Sequence, residues 1–192
     1  MTNLSVDALI EAIRARAAAT LHAPTSANVI REAEAGMGLQ LPPLLVRLYC
    51  EVSDGGFGPG YGMLTLSALR AQYLEFRSYP EWPWPDRVLP LWHWGCETWS
   101  CVDANTTNAQ MLTHDASAAT MTRFTLQSWL EEWLCGTDLY EEIYEFGIAG
   151  ERFNPLTKKM EPRVGPIRPK GVPWNAAMQQ ESDRSAESRK RG

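Results

Sequence analysis

The chain has 192 residues, 44% of them apolar, with eight Trp and a formal net charge of −5, so one packed core plus a tail is the expected organisation. No apolar run reaches the ~18 residues of a membrane span, and the charged N-terminal stretch lacks a signal-peptide pattern, which makes the cytoplasm the expected location. Residues 1–150 carry eight Arg, no Lys and eighteen Asp and Glu, a balance of −10, whereas residues 151–192 carry +5. An acidic body repels phosphate backbones, which argues against direct nucleic-acid binding and for a basic partner protein.

Leu4, Leu9, Ile10 and Ile13 fall on one side of an amphipathic helix for which Ser5 is the N-cap. Asn28 is placed to cap a second helix ending at Gly36 or Gly38. Pro42 opens a third, with Leu41, Leu44, Leu45, Leu48 and Val52 at helical spacing, which Ser53-Asp54-Gly55-Gly56 ends. The glycine run that follows, with Gly55, Gly56, Gly58 and Gly60, lacks both the Gly-Lys-Ser/Thr ending and the strand-to-helix context of a phosphate loop, and so reads as a structural turn. A helix capped by Ser67 runs to about Ser78.

Three prolines within EWPWPDR exclude helix and central strand, which puts Trp82 and Trp84 on a loop as an exposed pair. Strands at Val88–Trp92, Thr98–Val102 and Ala109–Thr113, separated by turns that include Asp103, form an antiparallel meander. Trp92 and Trp99 are expected to face inward, since alternate strand residues share a face. Thr125 caps a helix with Leu126, Trp129, Leu130, Trp133 and Leu134 on one face, stopped by Gly136, and Asp138 with Glu141 forms a capping box for a last helix reaching Phe146. Helices, then strands, then helices give an α+β fold with a small, mainly antiparallel sheet over residues 1–150. Residues 151–192, rich in Pro, Lys, Arg and Ser, form an extended or disordered basic tail that carries no ladder of its own and docks at most through Val164, Ile167 and Trp174.

Leu41-Pro42 ahead of Tyr49 and the Ser53 to Gly62 run, then Leu89-Pro90-Leu91, Gly95-Cys96 and Trp99 to Asp103, then Phe124 to Leu134, resemble in order the three blocks of the SUKH superfamily. That superfamily holds the yeast cell-wall assembly regulators and many bacterial toxin-immunity proteins. One departure is Glu97, where many relatives carry Gly. The resemblance implies an intracellular domain that works by binding proteins, as an immunity protein that neutralises a toxin or, alternatively, as a regulatory scaffold.

Enzymatic readings find less support. His22, His93, His114, Asp103 and Asp115 are the available acid-base groups, yet no recognised constellation links them and no nucleophile lies in an elbow motif. His93, Cys96 and Cys101 lack a fourth ligand and the paired spacing of a zinc site, so neither metal nor cofactor is expected. Glu81, Trp82, Trp84, Asp86 and Glu97 combine Trp with charge, the composition of interface anchors, and are the predicted contact residues for a basic partner.

Overall fold

The computed structural model describes residues 4–19, 21–80, 84–106, 108–115 and 118–174. Helix α1 (Val6–Ala17) is capped by Ser5, whose Oγ accepts from Ala8 N, and it buries Leu9, Ile10, Ile13 and Ala17. Helix α2 (Ala27–Met37) is capped two residues before the predicted cap, by Ser26, which accepts from Val29 N, and Gly38 in the left-handed region closes it. Helix α3 (Pro43–Arg47) runs directly into a π turn, Leu48–Val52. Arg47 joins the N-terminal helix to this segment, meeting Asp7 at 2.8 Å and Glu51 at 2.6 Å. Helix α4 (Leu66–Arg77) is capped by Thr65 rather than Ser67.

Strands β1 (Val88–Gly95), β2 (Thr98–Asp103), β3 (Gln110–Asp115) and β4 (Ala118–Thr125) form the antiparallel meander, with β4 additional to the three expected strands. The fold is therefore α+β, and all strand pairings among the described residues are antiparallel. His93 opposes Trp99, which opposes His114, so these three share one face of the sheet. Phe76 of α4 meets Trp99 edge-on on that face, at 5.5 Å between centroids. Trp92 points to the opposite face and lies 6.3 Å from Trp129 of α5 (Leu126–Cys135). Trp92 and Trp129 are fully buried, whereas Trp99 is half-buried. Thr125 and Ser128 form a reciprocal capping box that starts α5, and Gly136 ends it.

The C-terminal region departs from expectation. Helix α6 (Leu139–Ile143), capped by Asp138, stops three residues short of Phe146, and the chain continues as β5 (Tyr144–Asn154) and β6 (Lys159–Pro169) in a two-stranded hairpin. Strand β7 (Val172–Pro173) then pairs with β4. The predicted boundary at residue 150 thus cuts through β5, and residues 151–169 do make a ladder. The prolines at 162, 166 and 169 are tolerated because among the described residues β6 pairs with β5 alone, so a missing N–H can face outward. Residues 175–192 of the expected tail lie outside the described residues.

Partners in the hairpin ladder define its two faces. Met160, Pro162, Val164 and Pro166 alternate on β6, and they oppose Phe153, Glu151, Ile148 and Phe146. An extra β5 residue between Ile148 and Glu151 keeps this set on one side, so one face is apolar except for Glu151. The other face carries the Arg152–Glu161 and Asn154–Lys159 pairs. At the base, Arg168 pairs with Glu145 at 2.6 Å and Lys170 N donates to Ile143 O at 2.7 Å. A Cβ on Gly171, where φ is +133°, would lie 2.1 Å from Met121 O, so only glycine lets the chain pass this close to β4.

Candidate functional site

The glycine run after the π turn folds over the end of β1. Leu64 N donates to Leu91 O at 2.9 Å, Tyr61 N donates to His93 O at 3.4 Å, and Gly56 N donates to Met63 O at 2.8 Å. Gly55, Gly56, Gly58 and Gly60 all have positive φ. Gly58 shows why a side chain is excluded: its Cβ would lie 2.4 Å from Trp92 Nε1, which donates to Phe57 O at 3.1 Å. The result of this bracing is a rigid loop whose tip, Tyr61, is 79% exposed.

Beside that tip is the β1–β2 turn. Cys96 and Glu97 both lie in the left-handed region, at φ 46° and 62°, as a two-residue hairpin connection of the primed type requires. A left-handed non-glycine residue costs ~1–2 kcal/mol, so glycine would fit the position of Glu97 without that strain. The turn presents the Glu97 carboxylate to solvent. Trp94, half-buried, donates from Nε1 to Ser100 Oγ at 2.7 Å, and its ring centroid is 5.4 Å from Tyr140 of α6. Burial, with the Cys96 thiol nearby, raises the Tyr140 hydroxyl pKa. Tyr61 lies 5.9 Å from His93, whose ring stacks on Trp99 at 4.4 Å. Tyr61, Trp94 and Tyr140, with Glu97 and the exposed Glu141, therefore give this end of the sheet an aromatic and acidic surface held by hydrogen-bonded backbone.

Trp84, expected in the exposed contact, is instead a core residue with 4% exposure. The prolines keep its segment out of regular structure, but the ring turns inward onto α4 and stacks on Phe76 at 4.3 Å. Its Nε1 donates to Val88 O at 2.7 Å, which satisfies the one polar atom of the ring. Asp86 is ion-paired with Arg77. Glu81 and Trp82 lie outside the described residues. Asp86 precedes β1 and Glu97 follows it, so ~23 Å of strand separates them and the predicted contact residues do not form one patch. Asp103 accepts Asn105 N at 2.7 Å in the turn after β2.

Tyr61 and Tyr140 were not singled out from the sequence. A signal for Tyr61 was present, since a large residue flanked by Gly60 and Gly62 cannot easily be packed away. Of the acid-base candidates, His114 and Asp115 interact as neighbours, and Asp103 lies away from them. His22 is tied to Asp54 O at 3.1 Å, His93 is stacked, and His114 is buried in the sheet with Trp84 4.3 Å from its ring. Asp103 opposes Val88 while His114 opposes Trp99, a separation of ~13 Å along the strands. Among the described residues no three His, Cys, Asp or Glu side chains converge as metal ligands, and no helix is long and apolar enough to cross a membrane.

No protein-family model matches the chain, and a search of curated proteins finds no match to it.

Proposed function

We propose that this chain is a non-enzymatic, cytoplasmic protein-binding domain of the immunity type, which binds a basic toxin protein and neutralises it by covering its working surface. The observation that carries this reading is the braced aromatic and acidic end of the sheet, where Tyr61 projects at 79% exposure next to the β1–β2 turn that carries Glu97. A large aromatic on a rigid loop loses little conformational entropy on binding, so it is suited to anchor a partner. The acidic charge before residue 144, eight Arg against seventeen Asp and Glu, speeds encounter with a positively charged cleft. The resemblance to the SUKH superfamily supports the same class of activity.

Surface plasmon resonance against the product of the adjacent gene, as the candidate basic partner, tests the proposal. Tyr61→Ala is expected to raise the off-rate, and Glu97→Lys to slow association and reduce its dependence on salt. Unchanged kinetics for both substitutions would move the contact away from this end of the sheet. Absence of binding by the unaltered chain would remove the immunity reading.

A further inference from the structure

The turn ahead of β1 places two unfavourable features in one residue. Val88 N donates to Pro85 O at 3.4 Å, and Arg87, third in that turn, has φ 62° whereas Asp86 before it keeps a negative φ. This is the pattern of a type II turn, whose third position suits glycine or asparagine, so an arginine there carries backbone strain. Its side chain is also unpaired: the Nε of Arg87 is buried without an acceptor, and the guanidinium forms no ion pair among the described residues. A buried donor left without a partner is costly, the more so on a charged group. Carboxylates are not scarce here, since Arg14, Arg47, Arg77 and Arg123 each pair with one. Strain of this kind is found at ligand clamps, where the bound group compensates it.

Arg87 lines a cavity of about 450 Å³ whose other wall is α2, within the ~300–1,000 Å³ range of small-molecule sites. Arg31, Glu34, Ala35 and Gly38 fall at i, i+3, i+4 and i+7, so they share the face of α2 that borders it, and the small Ala35 and Gly38 leave the space open. Arg31 bonds to the neutral amide oxygen of Asn28, which leaves its charge uncancelled, like that of Arg87. Glu34 commits Oε1 to Leu41 N at 2.8 Å and keeps its other oxygen as an acceptor, and Gln40 adds an amide to the rim.

We propose that this cavity binds a small hydroxylated oxyanion, a phosphate monoester or a hydroxy acid, with its anionic group between Arg31 and Arg87 and a hydroxyl donating to Glu34. A guanidinium matches the paired oxygens of carboxylate and phosphate, and an anion between the two arginines neutralises both. The −9 balance of residues 1–143 excludes polyanions and keeps the affinity for a small anion low. About 23 Å of β1 separates Arg87 from the β1–β2 turn, so the site does not rest on the immunity reading.

Titration of the full, nitrogen-15-labelled chain with inorganic phosphate, followed by NMR at constant ionic strength, tests the proposal. Saturable shifts are expected at the Arg87 Nε–H and at the amides of residues 34, 38, 40 and 88, with a dissociation constant on the order of 1 mM. Sodium chloride at the same ionic strength should leave these signals in place. Arg31→Gln, on the exposed side of α2, is expected to weaken phosphate binding by about fivefold or more. Arg87→Gly should abolish it while the unfolding midpoint stays level or rises, because glycine suits this turn. The parent titration and Arg31→Gln stand by themselves if Arg87→Gly fails to fold. No saturable shift below about 50 mM phosphate overturns the proposal. Equal shifts with chloride, or binding indifferent to both substitutions, also overturn it. A parallel titration with lactate separates the two sources: tighter binding of phosphate assigns a phosphate monoester, and tighter binding of lactate a hydroxy acid.

Discussion

Replacing Trp84 by Ala separates a core role from a contact role. The substitution removes a ring that is 4% exposed, stacked on Phe76 and in contact with His114, and it leaves Val88 O without the donor now 2.7 Å away. Truncation of a buried Trp costs ~3–5 kcal/mol, and the orphaned carbonyl adds ~1 kcal/mol or more. A loss of ~4 kcal/mol is a large part of the ~5–15 kcal/mol that holds a domain of this kind together. With a urea slope of ~2 kcal/mol per molar, the unfolding midpoint followed by circular dichroism should fall by ~2 M. Trp84→Phe keeps the stack, loses the hydrogen bond and should cost ~1–2 kcal/mol. A midpoint that moves by less than ~0.3 M in Trp84→Ala, together with weakened partner binding, would refute the buried placement and return this residue to an exposed contact.

Tyr61→Ala should behave in the opposite way, leaving the unfolding midpoint within ~0.5 kcal/mol of the parent while costing ~2 kcal/mol in binding to the basic partner; a stability loss as large as that of Trp84→Ala would count against the exposed loop tip. Burial pushes His114 down to about 4 despite the neighbouring Asp115, whereas the unfolded chain titrates near the ordinary ~6.5. Between these values the unfolded state binds the proton that the folded state refuses, so stability should fall as pH drops from ~6.5 to ~4, by up to ~3 kcal/mol. Urea midpoints across that window, compared with those of His114→Phe, check the sign, and equal slopes in the two proteins would exclude His114 as the cause. Gly171→Ala forces a Cβ against Met121 O and should release β7, so amide exchange at residues 120, 121 and 172 should quicken by about tenfold or more while β1 to β3 keep their protection; uniform exchange across the sheet would contradict this.

The helices were legible because their signals are local. Ser5, Thr125 and Asp138 accept the hydrogen bonds that their positions before an apolar face imply, and Gly38 and Gly136 stop α2 and α5. In two places the cap is an earlier hydroxyl than the residue expected, Ser26 instead of Asn28 and Thr65 instead of Ser67. Strand β4 was missed because Ala118 and Ala119 dilute its alternation. The hairpin was missed for a different reason. Its prolines and net charge resemble disordered chain, and the bulge after Ile148 puts Phe146 and Phe153 an odd number of residues apart, which hides a shared face from period-two counting. Trp84 exposes the limit of local reading most directly. Pro83 and Pro85 fix the backbone class, but the direction of the ring depends on Phe76 and His114, which are distant in sequence or on another element.

The first helix finds its support late in the chain. Leu4 N donates to Glu131 Oε1 at 3.0 Å, Gln127 Nε2 donates to Leu4 O at 2.8 Å, and the Arg16 guanidinium lies 4.9 Å from the Trp133 ring centroid. These partners are more than a hundred residues away, so closing the domain carries a large loop entropy and is slow compared with forming the local meander of β1 to β4. During synthesis α1 must wait until α5 has emerged, and until then Leu9, Ile10 and Ile13 have an unfinished surface to pack on. A nascent chain from which α5 has not yet emerged would therefore hold a sticky N-terminal helix, a natural target for holdase chaperones.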